Sequence, residues 1–89
     1  MIKPSIGRVV LVHRAGAPSN QPEPALICYV HGDQCINIGG FDYNGQPFAA
    51  TSVFLDQDGL VPWEGAKSGT WAEWMPFQKE QAKAGIPRG

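Results

Sequence analysis

Two cysteines and two histidines are the residues of this chain most able to do chemistry. Cys28, His31 and Cys35 could bind zinc if His13 completed the set, or His31 could activate one cysteine as a nucleophile. Structural zinc sites use closely spaced cysteines and paired histidines, whereas these cysteines are seven positions apart. Side chains alternate along a strand, which places His31 on the opposite face from both thiols. We therefore expect neither a metal site nor a catalytic cysteine.

The remaining residues with catalytic potential have simpler structural interpretations. The four aspartates fall in turn segments, where aspartate caps and bends the backbone: Asp33, Asp42, Asp56 and Asp58. Residues 56–59 are similar to the start of a calcium loop but lack its downstream glutamate. Gly39 and Gly40 are not followed by a helical pattern, so they are not expected to bind phosphate. We expect them instead to let a neighbouring backbone or aromatic ring approach closely. We expect no enzymatic activity and no cofactor.

Three tryptophans close to the C-terminus offer a binding surface instead. Trp63, Trp71 and Trp74 fall within twelve residues of one another. They could fill the ends of a small barrel, or they could form an aromatic platform for a protein partner or a nucleobase. Arg8 and Arg14 in the first strand would add positive charge beside such a platform. A nucleotide-sized ligand at a subunit junction is therefore one hypothesis.

These residues must be positioned by short strands, because apolar alternation between turn signals dominates the chain. We predict one domain, residues 1–89, with strands near 6–13, 25–31, 34–43, 46–55 and 70–75 and a helix near 77–84. Pro76 suits the first helical position. The predicted fold is all-β: a small SH3-like or OB-like barrel, or a strongly bent antiparallel sheet, with a short C-terminal helix.

Two turn signals fix a register for the central three strands. Gly32-Asp33 and Asn44-Gly45 both suit two-residue hairpin turns, the second of type I′. The resulting pairs include Tyr29 with Ile36, Cys28 with Asn37, and Phe41 with Phe48. One face then holds the expected core: Ile27, Tyr29, Ile36, Ile38, Thr51 and Val53.

The opposite face of this predicted sheet is also largely apolar. It would carry Cys28, Val30, Cys35, Asn37, Gly39, Phe41, Phe48, Ala50, Ser52 and Phe54, with a polar centre at Asn37 and Ser52. One short chain cannot easily cover both faces, so we expect self-association, most simply through a two-fold contact. Cys28 and Cys35 would be awkwardly placed for a disulfide, and we expect two buried free thiols.

Composition narrows the classes of partner. Charged residues make up 17% of the chain and the net charge is −1, which gives no general attraction for nucleic acid or an anionic membrane. No apolar run is long enough to span a bilayer, and the N-terminus lacks the apolar segment of a signal peptide. We expect a cytoplasmic protein.

A resemblance covers most of the chain outside residues 14–24 and 56–69. The segments IGRVVLVH, DQCIN, FDYNG, TSV and WMPFQ resemble a pattern found in small uncharacterised proteins of tailed bacteriophages and prophages. The WMPFQ ending is the most specific part, while the other segments also suit any small barrel. The resemblance implies a phage-encoded accessory protein made in the infected bacterium. It implies no particular activity.

Three hypotheses of function follow. The first is a non-catalytic, homo-oligomeric interaction module that binds and redirects a host protein. The alternative is an oligomeric sponge that sequesters a nucleotide immune signal, and a weaker alternative is a minor virion component. The candidate ligand or interface residues are Arg8, Arg14, Cys28, Asn37, Phe41, Phe48, Ser52, Phe54, Trp63, Trp71 and Trp74.

Overall fold

The computed structural model describes residues 1–17 and 20–83, with side chains to residue 81. The elements are β1 (Val9–His13), β2 (Glu23–Gly32), β3 (Cys35–Phe41), β4 (Pro47–Asp56), β5 (Trp71–Trp74) and α1 (Pro76–Lys83). The five strands close into a barrel. The predicted all-β barrel with a short C-terminal helix is confirmed, although β1 begins later than expected. Position 84 of the predicted helix lies outside the described residues.

Closure of the barrel depends on β5. Strands β1 to β4 are antiparallel neighbours in chain order, and β5 pairs antiparallel with β1 and parallel with β4. Parallel strands cannot be joined by a tight hairpin. The chain therefore needs the long connection of residues 57–70 to return β5 to the correct end of β4.

The inward side chains form one apolar core. Trp74 is its largest member and is 1% exposed. The core consists of Val10, Val12, Ala25, Ile27, Ile36, Ile38, Val53, Leu55, Ala72 and Trp74. Four of the six predicted core residues belong to it, but Tyr29 and Thr51 are exposed. Their placement was wrong because the register of the central strands is irregular.

The β2–β3 hairpin turns one position later than predicted. Gly32 pairs with Cys35, and Tyr29 pairs with Asn37 rather than Ile36. The pairing shifts twice along β2, between Ile27 and Tyr29 and again towards Gly32. An extra residue in one strand reverses the face of every side chain that follows it. Tyr29 consequently points outward, and the inward position passes to the next residue of β2, Val30.

The β3–β4 hairpin has a three-residue loop instead of a type I′ turn. The amide of Gly45 donates to the carbonyl of Asp42 at 2.9 Å, and the amide of Asp42 donates to the carbonyl of Gln46 at 2.9 Å. Gly45 has φ of 79°, whereas Asn44 is not in the left-handed region that a type I′ turn requires. Phe41 therefore pairs with Pro47, and Phe48 turns inward towards the core.

A bulge at Ser52 returns the end of this hairpin to the predicted register. Ser52 has φ of 53°, and the pairs of Cys35 with Phe54 and Ile36 with Val53 are as predicted. The Asn37 Oδ1 atom accepts hydrogen bonds from the Ser52 amide and the His31 Nε2, both at 2.9 Å. Asn37 and Ser52 thus shape the backbone of the hairpin.

The close backbone approach expected at the Gly39-Gly40 pair occurs at Gly40. A Cβ atom at this position would lie 2.3 Å from the carbonyl oxygen of Pro24 and 2.8 Å from the Cβ of Ala25. Only glycine lets β2 and β3 approach each other so closely here.

Gln57, the first residue after β4, joins three distant parts of the chain. Its side chain is buried, with Oε1 accepting from the Trp74 indole at 2.9 Å and from the Ile2 amide at 3.2 Å. Its Nε2 donates to the carbonyls of Ile2 at 2.7 Å and Asp33 at 3.0 Å. All four hydrogen-bonding positions of the amide are therefore used inside the protein.

Gln78 attaches α1 to the barrel in a similar way. Its Oε1 accepts from the Met75 amide at 2.9 Å, as a glutamine at the third helical position does in a capping box. Its Nε2 donates to the carbonyl of Val9 at 3.2 Å. One side chain thus begins the helix and fixes it against the start of β1.

Replacing Gln57 with alanine is expected to lower the free energy of unfolding by about 1–3 kcal/mol, because the buried Trp74 N–H loses its acceptor. Gln46→Ala is the matched control, since its side chain is exposed; its effect should stay within about 0.5 kcal/mol. Urea denaturation measures both. Equal effects of the two variants would contradict the assigned role of Gln57.

Asn37→Ala is expected to lower the free energy of unfolding by about 0.5–1.5 kcal/mol, because the Ser52 amide at the bulge loses its acceptor. Asn37→Asp retains the oxygen and should recover most of this loss. The comparison uses the same denaturation experiment. Equal stability of the alanine variant and the wild type would show that the bulge forms without this hydrogen bond.

Candidate functional site

The outer surface of the barrel is covered at the C-terminal end of β4, whereas Pro47, Ala49 and Thr51 earlier in β4 are exposed, as are several outward residues of β1, β2 and β3. The connection of residues 57–70 lies against β4, where Trp63 contacts Phe54 edge-on with 4.7 Å between ring centroids. Phe54 is only 2% exposed although it points away from the core. Burial of this ring outside the barrel shows that the connection acts as a second apolar layer.

The uncovered side carries what we call the apolar patch, formed by Val9, Pro24, Leu26, Gly39 and Phe41. Leu26 lies between Val9 on β1 and Gly39 on β3 in one cross-strand row. Their exposure is substantial: 37% for Val9, 47% for Leu26 and 51% for Phe41. Because Gly39 has no side chain, a groove of about 250 Å³ opens in the middle of the patch.

Cys28 borders the apolar patch. Its Sγ lies 3.5 Å from the position a Cβ on Gly39 would take. Both cysteines are free, but Cys28 is exposed and Cys35 is only partly buried, so the expectation of two buried thiols was wrong. Cys28 lies on the outer face, as predicted, but this face is not covered beside it within the single chain. Cys28 therefore offers a chemical reporter at the edge of the patch.

A second concave surface, which we call the polar cleft, lies at the end of β1. Its walls include His13, Arg14, Asn20, Ser68, Gly69 and Trp71, and its volume is about 300 Å³. The strands β1 and β5 contribute His13 and Trp71 from paired positions. The loops on either side supply the remaining walls.

Arg14 is held rigidly at the base of the polar cleft. Its Nε and Nη2 donate to the two carboxylate oxygens of Glu23 at 2.8 and 3.0 Å, and its guanidinium lies 4.6 Å from the centroid of the Phe48 ring. Glu23 is 2% exposed, so the ion pair closes this end of the barrel. The hydrogen bonds with Glu23 raise the pKa of the Arg14 guanidinium above its ordinary value, and Arg14 remains cationic.

The aromatic wall of the cleft is a stack of two rings. The His13 imidazole lies parallel to the Trp71 indole, with 4.2 Å between centroids and an interplanar angle of 15°. His13 Nε2 is hydrogen-bonded to a carboxylate oxygen of Glu73. Lys67 Nζ lies 4.3 Å from the centroid of the Trp71 ring. These contacts fix both rings in place.

The three tryptophans do not form one platform. Trp74 is a core residue, while Trp71 belongs to the outer stack and Trp63 lies on the crossover connection with 46% exposure. Burial alternates along β5, with Ala72 and Trp74 inside the barrel and Trp71 and Glu73 on its outer side. Since the rings face three different environments, they cannot jointly stack on one ligand.

The two arginines also separate. Arg14 lines the polar cleft, but Arg8 Nε donates to Ser5 Oγ at 3.2 Å, and its guanidinium lies 5.9 Å from the Trp74 ring centroid. Arg8 therefore packs against the barrel instead of joining Arg14. The prediction that Arg8 and Arg14 lie together beside one tryptophan platform is therefore wrong.

The three phenylalanines predicted to share the second face lie in three places. Phe48 packs against the core, Phe54 is covered by the connection, and only Phe41 remains in the apolar patch. Sequence reasoning missed Val9 and Leu26 as exposed apolar residues. Pairing β1 with β2 would have revealed them, because these two residues then share the outward side of one row.

Comparison of the chain with known protein families, with curated proteins and with solved structures finds no match. Within the part of the chain that the structure describes, no group of three or more His, Cys, Asp or Glu side chains is arranged to hold a metal ion. No helix among these residues is long and apolar enough to cross a membrane. The apolar patch and the polar cleft are the two surfaces considered for function below.

In dilute protein, Cys28 is expected to react with a bulky alkylating reagent nearly as fast as a cysteine in an unstructured peptide, because it is exposed. Cys35 should react more slowly because it is partly buried. Intact-mass spectrometry over time gives both rates, with Cys28→Ser identifying the slow thiol. Faster modification of Cys35 than of Cys28 would contradict the exposure of the two thiols in this structure.

Proposed function

We propose that this protein is a non-catalytic interaction module that self-associates through the apolar patch. The observation that supports the proposal is the contrast between the two outer faces of the barrel. The end of β4 is covered, with Phe54 buried beneath Trp63, whereas the apolar patch over β1–β3 is left uncovered. Exposed contiguous apolar surfaces of this kind commonly mark interaction sites.

A second copy of the chain is the occupant that the patch suits best. The groove is lined by Val9, Pro24, Ala25, Leu26, Gly39 and Phe41, none of which is charged. Two identical surfaces meet without like-charge repulsion only when they are uncharged or self-complementary. A two-fold contact would set the Phe41 ring of each copy beside the groove at Gly39 of the other.

The strength of this contact follows from the half-exposed side chains. Full burial of a Leu or Phe side chain contributes about 1.5–3 kcal/mol, and Leu26 and Phe41 retain roughly half of their surface to bury. A two-fold axis doubles each contribution, but association also costs several kcal/mol of lost translational and rotational freedom. Leu26 and Phe41 together then contribute about 3–6 kcal/mol per dimer before this cost, so a micromolar dimer, at about −8 kcal/mol, also requires burial of the rest of the patch.

We further propose that the assembled protein acts on a host protein in a phage-infected bacterium. This part is supported by the resemblance of the IGRVVLVH and WMPFQ segments to small phage proteins. Cross-linking in infected cells, followed by mass spectrometry, tests it. Recovery of one bacterial protein with the wild type, at a defined site on the barrel, is the expected result; recovery of virion proteins alone would favour the structural role.

Leu26→Lys is expected to abolish self-association, because it places a charge at the centre of the apolar patch. Val61→Lys is the matched control, since Val61 is an apolar residue with 86% exposure on the crossover connection. Sedimentation equilibrium should give a dimer for the wild type and Val61→Lys at about 100 µM, well above a micromolar dissociation constant, and a monomer for Leu26→Lys.

Three results would count against the proposal. A wild-type protein that sediments only as a 9.6 kDa species at this concentration would show that the patch is not a self-association surface. A Leu26→Lys variant that remains dimeric would place the contact elsewhere. Loss of association in Val61→Lys alone would assign the contact to the crossover connection.

A further inference from the structure

The polar cleft shares no lining residue with the apolar patch, and self-association does not require it. Its volume of about 300 Å³ is at the lower end of the range for small-molecule sites. It is bounded by residues of β1, β5 and two loops. Three properties of the residues that line it indicate the class of ligand that it would bind.

The first property is the sign of the charge. Arg14 lines the cleft, while no carboxylate does. The neighbouring acidic groups already have partners: Glu23 accepts both hydrogen bonds from Arg14, and Glu73 contacts His13 and, at 3.4 Å, Lys79 Nζ. Glu23 and the charge of Asp42 partly balance that of Arg14. The lining nevertheless offers cationic N–H donors and no carboxylate acceptor, which favours an anionic ligand over a cation.

The second property is the fixed orientation of Arg14. A guanidinium has five N–H donors, and the pair with Glu23 uses one on Nε and one on Nη2. Three donors remain outside this pair. The buried carboxylate and the Phe48 ring hold the group in position before any ligand arrives, which reduces the entropy lost on binding. Planar forked donors suit carboxylate and phosphate oxygens.

The third property is the flat wall next to this cation. His13 lies parallel to Trp71, and both rings line the cleft. Glu73 and Lys67 hold the stack in place, so the wall is rigid. His13 and Lys67 occupy the two faces of the Trp71 ring, so a planar ring would stack on the outer face of the His13 imidazole.

From these three properties we infer that the polar cleft binds a small organic anion that carries a planar ring. The anionic group lies at Arg14 and the ring lies against the outer face of His13, which is stacked on Trp71. A nucleoside monophosphate combines both parts in one molecule. Adenosine 5′-monophosphate (AMP) is therefore the probe, and adenosine and inorganic phosphate represent its two halves.

Titration of isotope-labelled protein with AMP, followed by amide chemical shifts, tests this inference. Saturable shifts are expected at Ala15, Ser68 and Gly69, with half-saturation at or below about 1 mM, and not at Gly32 on the β2–β3 hairpin. Adenosine and phosphate should each bind at least about tenfold more weakly than AMP. Unsaturated shifts at about 10 mM AMP, or equal binding of AMP and phosphate, would overturn the inference.

Glycine substitutions give a matched pair of variants. A Cβ added at Gly69 or at Gly32 meets no atom within 4 Å, and neither residue has a left-handed φ. Gly69→Glu adds bulk and negative charge to the cleft and should weaken AMP binding at least about tenfold. Gly32→Glu adds the same side chain far from the cleft and should leave binding unchanged. Equal binding by both variants would place the ligand elsewhere.

The wild-type titration keeps the inference testable even if one variant fails to fold. The Leu26→Lys protein separates the two proposals, because it alters the patch and leaves the cleft unchanged. AMP binding by a monomeric Leu26→Lys protein supports the cleft independently of self-association. Loss of AMP binding in this variant would contradict the separation of the two sites.

Discussion

The parallel pairing of β4 and β5 is the constraint on which the rest of this small barrel depends, and Gln57 stabilises it. Gln57 directly follows β4, and its amide bonds to Trp74 of β5, to both backbone groups of Ile2 and to the hairpin at Asp33. A buried amide is tolerated only when its donors and acceptor are satisfied. Loss of any one of these partners leaves a buried polar atom of Gln57 unsatisfied, which destabilises the junction where the amide lies.

The way the barrel closes decides which outer surface is covered. Since β5 runs parallel to β4, residues 57–70 must return along the barrel, and they cover Phe54 on the way. The β2–β3 and β3–β4 connections are short and leave the outer face of β2 and β3 open. The uncovered apolar patch around Leu26 is thus a consequence of topology. The polar cleft forms where the same connection ends beside β1, at Ser68 and Gly69.

The sequence predicted the number, order and approximate limits of the elements, because turn signals and apolar alternation are local. It did not predict the register, because a bulge depends on the partner strand. Ser52 carries no local signal for its left-handed φ, and the loop at Asp42 adds one residue to the expected turn. Each such shift moved a side chain to the other face, as at Tyr29 and Phe48.

The two glutamines that organise the fold could not be found from sequence at all. Gln57 bonds to a residue 55 positions away, and Gln78 bonds to one 69 positions away. The candidate sites were predictable only in part. Alternation along β5 correctly separated Trp74 from Trp71, and the resulting cleft includes Arg14 as a predicted site residue. The apolar patch required the pairing of β1 with β2.

The central claim is that the face left uncovered by the topology is the surface through which copies of this protein meet. Amide chemical shifts recorded over a dilution series test it most directly, because they report each residue in the unmodified protein. The account predicts concentration-dependent shifts confined to the region of Val9, Leu26, Gly39 and Phe41. Shifts confined to the crossover connection around Val61 and Trp63, or no change with concentration, would contradict it.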